Sequence, residues 1–252
     1  MENLSLNLKG KVALVTGASK GIGAGIAKAL AQAGVNIAIN YASNIDDAQN
    51  VERDIQQYDI KTLVIRADVA KKDEVVAMFA AVNKEFGKID ILVNNAGVYS
   101  YPLVEDLTEA DFHRMFDTNV LGPLLTTQEA VKYFTHGGSI INVSSLAARK
   151  TVHGASIYAA TKAALNEVTK VTAQELGPKN IRVNAILPGY VDTDGARSMG
   201  EGVEEWAKQL IAATPLGRKG LPEDIGKVAV FLASDLSFWI TGEMIAASGG
   251  LI

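Results

Sequence analysis

Apolar residues recur along this chain in two alternating patterns. Short β-branched runs read as buried strands. The stretches between them place apolar residues three and four apart and read as helices. Residues 12–16 form the first strand, followed by a helix over 21–34 that stops at Gly34. A second strand over 35–40 leads into an amphipathic helix over 45–57, and a third over 61–66 into a helix over 72–86 carrying Val75, Met78, Phe79 and Val82. Strands at 89–93 and 138–143 flank one long helix over 108–131. A further helix runs to about residue 176, then come a strand at 181–186, a helix over 223–232 and a short strand at 244–247. Strands separated by helices pair in parallel through right-handed crossovers. No linker or internal repeat divides the chain. The expectation is an α/β fold in which residues 1–252 form a single doubly wound domain, a seven-stranded parallel sheet with helices on both faces.

Composition narrows the classes of function. With 48% hydrophobic and 21% charged residues, the chain is globular and long enough to bury a sizeable core. Its 24 basic and 28 acidic residues give a net charge of −4 with no basic stripe, which argues against nucleic acid as a partner. The absence of cysteine excludes disulfides, thiolate metal sites and a Cys nucleophile. His113, His136 and His153 lie in different segments without ligand spacing, so no metal site is expected. The first six residues lack the charged and apolar regions of a signal peptide, and no apolar segment approaches the ~18 residues of a membrane span. A cytoplasmic protein without membrane contact is expected.

Between the first strand and first helix lies a glycine-rich turn containing Thr16, Gly17, Ser19, Lys20, Gly21, Ile22 and Gly23. In a doubly wound fold this is the place where phosphates bind: glycine lets backbone approach a pyrophosphate, and the helix N-terminus offers N–H groups and a positive dipole end. The second strand ends in Asn40, Tyr41, Ala42, Ser43 and Asn44, with no acid before Asp46. An NAD site places a carboxylate there for the ribose 2′-hydroxyl. Here Ser43 and Asn44 can instead donate to a 2′-phosphate, and Lys20 is either a second phosphate contact or a solvated cation. The cofactor expected is NADP(H).

Tyr158 and Lys162 stand four apart on a helix and share a face. A cation near a phenol stabilises the phenolate and lowers a pKa that is ordinarily ~10, giving an acid–base group for a carbonyl or alcohol oxygen.

In order along the chain come the glycine turn, Asp68-Val69, Asn94-Asn95-Ala96-Gly97, Asn119, Ser145, Tyr158 with Lys162, and Pro188-Gly189. Over essentially its whole length the chain resembles the short-chain dehydrogenase/reductase family, and within it the 3-oxoacyl-acyl-carrier-protein reductases and related ketone reductases. The resemblance implies a catalytic tetrad of Asn119, Ser145, Tyr158 and Lys162. Tyr158 is the proton donor, Ser145 orients the carbonyl, Lys162 also binds the nicotinamide ribose, and Asn119 holds a helix irregularity and a water on the proton path. Ser144, adjacent to Ser145, reads as a strand-end hydrogen bonder. The resemblance further implies that Asp68 meets the adenine amino group, although a helix N-cap is its other reading, and that Val69 lines the ring. Asn95, Ala96 and Gly97 would pass close to the cofactor, with Asn94 tying strands together. Pro188, Gly189, Val191 and Thr193 would flank the nicotinamide.

Residues 195–216 match a substrate lid, in which Met199, Trp206 and Leu210 read equally well as packing. The function expected is NADPH-dependent reduction of a small-molecule ketone or aldehyde. A 3-oxoacyl-carrier-protein reductase, a sugar or polyol dehydrogenase, and a non-catalytic NADP(H)-binding regulator are the alternatives. Apolar residues on the helices over 108–131 and around 165–171, together with the C-terminal strand and tail, match the family's two-fold interfaces and imply a homotetramer.

Overall fold

Seven parallel strands carry the molecule: β1 (Val12–Val15), β2 (Asn36–Tyr41), β3 (Thr62–Arg66), β4 (Ile91–Asn94), β5 (Gly138–Val143), β6 (Ile181–Pro188) and β7 (Met244–Ala247). This computed structural model describes residues 5–197 and 203–251. The strands form one sheet in the order β3-β2-β1-β4-β5-β6-β7. The helices are α1 (Gly21–Gln32), α2 (Ile45–Ile55), α3 (Lys72–Phe86), α4 (Glu109–Phe116), α5 (Gly122–Ala130), α6 (Ser156–Leu176), α7 (Asp194–Arg197), α8 (Val203–Ala213) and α9 (Pro222–Ala233).

Successive strand residues point to opposite faces, so one run of apolar residues feeds two cores. On one face Ala13, Val15, Ile37, Ile39 and Val93 pack with Ile26 and Leu30 of α1 and Ile225 and Leu232 of α9. On the other, Val12, Leu14, Leu92 and Ile140 pack with Met78, Phe79 and Val82 of α3 and Leu176 of α6. Chain order reverses between β1 and β4, which opens a crevice beyond the carboxyl ends of these strands.

Three departures from the sequence reading bear on the crevice. β4 is Ile91–Asn94 rather than 89–93, so its buried end reaches Asn94. There the Asn94 amide donates to Asn142 Oδ1 on β5 at 2.9 Å and accepts from Thr126 Oγ1 of α5 at 2.6 Å, tying strand to strand and helix. β6 continues through Pro188 because it pairs with β7 to the end, with Pro188 opposite Ala247. The single helix expected over 108–131 is interrupted by a π-helical turn, Asp117–Leu121. Asn119, wholly buried in that turn, accepts from Val98 N–H and donates to Val98 C=O, both at 2.8 Å. That paired bond to a neighbouring loop holds the widened turn open, and π-turns of this kind recur at functional sites.

Candidate active site

The glycine turn is braced from two sides. Thr16, buried at the end of β1, donates its hydroxyl to Val93 C=O at 3.2 Å and accepts from the N–H groups of Asn95 and Ala96, each at 3.0 Å. Asn95 answers with its side-chain amide, which donates to the carbonyls of Thr16 and Gly17 at 2.9 Å. Gly17 has φ 60° and lies so close to this loop that a Cβ would stand 2.8 Å from Ala96 Cα. The first N–H groups of a helix lack intrahelical acceptors, and here Ser19 to Gly23 present the start of α1 to the crevice. The turn fits a pyrophosphate, and Gly97 leaves open the space where a Cβ would lie 3.3 Å from Asn119 Oδ1 and 3.6 Å from Lys162 Nζ.

The end of β2 divides into bracing and exposed residues. Asn40 is buried, accepts from Gly17 N–H at 3.1 Å and donates to Ala67 C=O at 3.0 Å, so its side chain fixes the turn to β2 and β3. Tyr41 is buried, and Ala42, Ser43 and Asn44 are exposed, as is Lys20. Asn44 caps α2 by accepting from the N–H groups of Asp46 and Asp47. Sequence reasoning missed Arg66. Sheet register sets it beside Tyr41, and its Nε donates to Ala42 C=O at 3.2 Å, placing a second cation at this strand end. Asp68 is not a helix cap: Lys71 occupies that position for α3, while Asp68 Oδ1 accepts from Ala70 N–H at 3.0 Å within its own turn. Val69 is buried beside Gly122.

Tyr158, Ser145, Lys162 and Asn119 converge beyond β4 and β5. The Ser145 and Tyr158 hydroxyls are hydrogen-bonded partners. Lys162 is buried, its Nζ 5.8 Å from the Tyr158 ring centroid and donating to Val143 C=O at 2.9 Å. Asn119 Nδ2 donates to Thr161 Oγ1 at 3.1 Å, which donates in turn to the Tyr158 carbonyl at 2.7 Å. Ser144 donates to the Lys162 carbonyl at 3.1 Å, a structural role at the strand end.

Tyr158 and Ser145 line a cavity of about 240 Å³ into which Ile22, Pro188, Gly189, Val191 and Thr193 also open. Trp206 and Leu210 of α8 close part of it, with Trp206 edge-on to Tyr190 at 5.5 Å. Met199 lies outside the described residues. Thr193 caps α7, accepting from Ala196 N–H at 3.1 Å. A larger groove of about 660 Å³ runs outside the first turn of α1 past Lys20 and Asp54. None of the four convergent residues lines it, so the smaller cavity is the candidate reaction site. Tyr99 and Tyr101, unremarked in the sequence, pack their rings around Tyr158.

A family profile described as enoyl-(acyl carrier protein) reductase matches residues 17–252. An oxidoreductase of Methylorubrum extorquens is 48% identical over 97% of this chain and 98% of its own. The chain is a member of the short-chain dehydrogenase/reductase family. A hydroxynaphthalene reductase-like protein of Metarhizium robertsii is 38% identical over 100% of this chain and 98% of its own. The solved structure of a short-chain dehydrogenase/reductase from Serratia marcescens is 38% identical and superposes with a TM-score of 0.91 over 97% and 98% of the two chains.

In this short-chain dehydrogenase/reductase, burial acts on the tyrosine opposite to the sequence expectation. Enclosure pushes the Tyr158 phenol above its ordinary value, the Ser145 hydrogen bond opposes this, and Tyr99 adds to it. The nearby ammonium does not reverse that sign: it is directed at Val143 C=O, several ångströms from the ring. Burial also lowers Lys162 from 10.5 to about 8. Both groups are moved toward their neutral forms. The folded state therefore holds the Lys162 proton less well than the unfolded chain. The resulting cost, roughly 3 kcal/mol by linkage, is fully present below about pH 8 and is relieved as pH rises toward 10.5. Lys162→Met removes this term. Urea denaturation at pH 7 and pH 9.5 should show a stability gain with pH in the native protein that the variant lacks.

Proposed function

We propose that this chain is an NADP(H)-dependent carbonyl reductase in which Tyr158 is the proton donor. The observation that carries the reading is the Tyr158 hydroxyl, held neutral by burial and hydrogen-bonded to Ser145, at a cavity shared with the glycine turn and the loop after β6. Bound nicotinamide supplies a hydride to the carbonyl carbon. Ser145 and Tyr158 hold the carbonyl oxygen, and the Tyr158 proton passes to that oxygen as its negative charge develops, leaving an alcohol. Lys162, protonated below about pH 8, stabilises the phenolate so formed and returns a proton along the side that Asn119 keeps open. A phenol raised by burial favours the reducing direction, because reduction begins with the protonated form. The name of the hydroxynaphthalene reductase-like relative accords with carbonyl reduction.

Tyr158→Phe removes only the donor, so NADPH affinity should persist while ketone-dependent NADPH oxidation falls by roughly 10²–10⁴-fold. A turnover number near the native value would refute the role. The assay panel pairs aryl ketones with β-ketoesters and acetoacetyl thioesters; sole turnover of thioesters would point to the carrier-protein alternative, and none at all to a regulator.

The preference for the 2′-phosphorylated cofactor rests on an exposed Ser43, the absence of a carboxylate at the end of β2, and the cations Lys20 and Arg66 nearby. Ser43→Asp places a negative charge at that position, and the ratio of NADPH to NADH efficiency should fall at least tenfold. A native enzyme that favours NADH by tenfold would contradict the assignment.

We also propose a homotetramer. Phe112, Leu121, Leu124 and Val171 leave 40–47% of their surfaces uncovered on α4, the π-turn, α5 and α6, and Phe238 and Trp239 before β7 leave 72% and 96%. Two distinct two-fold contacts close a 222 assembly. Light scattering should report about four times the 26.7 kDa chain mass, and an active species at the single-chain mass would disprove it.

A further inference from the structure

Aromatic rings wall the cavity to an extent that carbonyl reduction itself does not require. Tyr158 meets Tyr99 at 6.1 Å and Tyr101 at 5.9 Å, both edge-on, and Tyr99 meets Tyr101 at 5.9 Å. The three rings form a closed triangle with the proton donor at one corner. Tyr190 and Trp206 form a second edge-to-face pair bordering the same space. Backbone contacts fix the triangle. The Tyr99 hydroxyl lies against Gly195 so closely that a Cβ there would collide with it. The Tyr101 carbonyl lies against Gly154, where a Cβ would come within 2.5 Å. Tyr99 nonetheless leaves 38% of its surface uncovered, an apolar area that a ligand ring would cover.

Size and charge point the same way. The cavity holds about 240 Å³, and Pro188, Gly189, Val191 and Thr193, expected to flank the nicotinamide, line part of it, so the share left beside the tyrosines takes a ketone bearing one ring rather than an extended chain. Among the described residues lining it none is acidic, and Lys150 is the one charged side chain. A ligand oxygen held by Ser145 and Tyr158 leaves the carbonyl substituent beside the tyrosine triangle. An aromatic ring attached directly to the carbonyl is coplanar with it, so orienting the oxygen also orients the ring. Ring pairs favour centroid separations of about 4.5–7 Å in offset or edge-to-face geometry, and each is worth a factor of roughly 2–10 in affinity beyond its buried area. A puckered saturated ring of the same size buries similar area and gains none of this.

Resting on the carbonyl-reductase reading, we infer that Tyr99 and Tyr101 are specificity-determining residues and that the substrates are aryl ketones. The test is the ratio of kcat/KM for acetophenone to that for cyclohexyl methyl ketone, in the native enzyme and in Tyr99→Leu, Tyr101→Leu and the double variant. Comparing ratios between proteins cancels the intrinsic reactivity of the two ketones, and retained NADPH affinity confirms that each variant is folded. The ratio should fall several-fold in each single variant and about tenfold or more in the double variant. Equal losses on both ketones, leaving the ratio unchanged, would show a merely structural role and overturn the inference while the reductase reading stands. Should no ketone be turned over, the reductase reading fails. Calorimetry with benzamide and cyclohexanecarboxamide, which are not reduced, then decides. Tighter binding of benzamide that is lost in the double variant sustains the aromatic selection. Equal or absent binding of the two amides rejects it.

Discussion

An ammonium group buried beneath the sheet's carboxyl edge, that of Lys162, governs how the catalytic end of the molecule is assembled. A buried cation must find acceptors, because its desolvation is otherwise too costly. Lys162 donates to Val143 C=O, and its own carbonyl accepts from the hydroxyl of Ser144, the next residue along the chain. One residue of α6 is thereby bound at both its ends to successive residues of the β5 terminus. That double attachment sets the register of α6 against the sheet. Tyr158, one turn earlier, then has a fixed place beside Ser145, which follows Ser144 directly. Three catalytic candidates, Lys162, Tyr158 and Ser145, are brought together by this double attachment.

The same burial sets the chemistry. Enclosure raises the tyrosine and lowers the lysine, so their proton affinities separate: the phenol holds its proton more tightly and the ammonium gives its proton up more readily. An exposed pair would leave a phenol near ~10 and an amine near ~10.4, each reluctant to exchange protons at neutral pH. In the proposed reaction, with the lysine near 8, a proton given up by Tyr158 would have a nearby source to replace it. The π-turn belongs to this arrangement. Asn119 is held by Val98 and Thr161, and Thr161 is held by the carbonyl of Tyr158, so the helix irregularity and the donor residue belong to one hydrogen-bonded chain.

Much of this was legible in the sequence because it depends on local pattern. Alternating apolar runs located all seven strands, and spacing placed Tyr158 and Lys162 on one helix face. The failures share a cause. The family resemblance named a helix irregularity at Asn119, but its form, a π-turn imposed on the stretch 108–131 by a bond to Val98, is encoded in no helical period. Arg66 reaches the end of β2 only through strand register, and Tyr99 and Tyr101 reach Tyr158 only through the loop after β4. Asn40 lies in the expected segment, but its side chain turns inward to hold Gly17 and Ala67. The direction of the Tyr158 shift required knowing its burial, which is a property of packed neighbours. Asn94 and Asn119, whose partners are distant, were legible only through the family resemblance, and Arg66, Tyr99 and Tyr101, brought in by strand register and loop packing, were not.

Rigidity is distributed unevenly around the crevice, and the distribution divides the labour. Thr16, Asn40 and Asn95 bind the glycine turn through buried and part-buried side-chain bonds, and Asn94 and Asn142 lock the adjoining strand ends. Such satisfied polar contacts hold one geometry and resist substitution, because removing a partner strands a buried donor or acceptor. The wall facing the substrate is built differently. It includes ring contacts from the loop after β4, the loop after β6 and α8, each modest. On the proposed reading, hydrogen bonds at the strand ends hold the cofactor turn, whereas the shape presented to a ketone depends on the aromatic residues. Because Tyr99 and Tyr101 also pack against Tyr158, and Tyr99 raises its pKa, the substrate wall and the proposed proton donor are coupled at this one corner of the site.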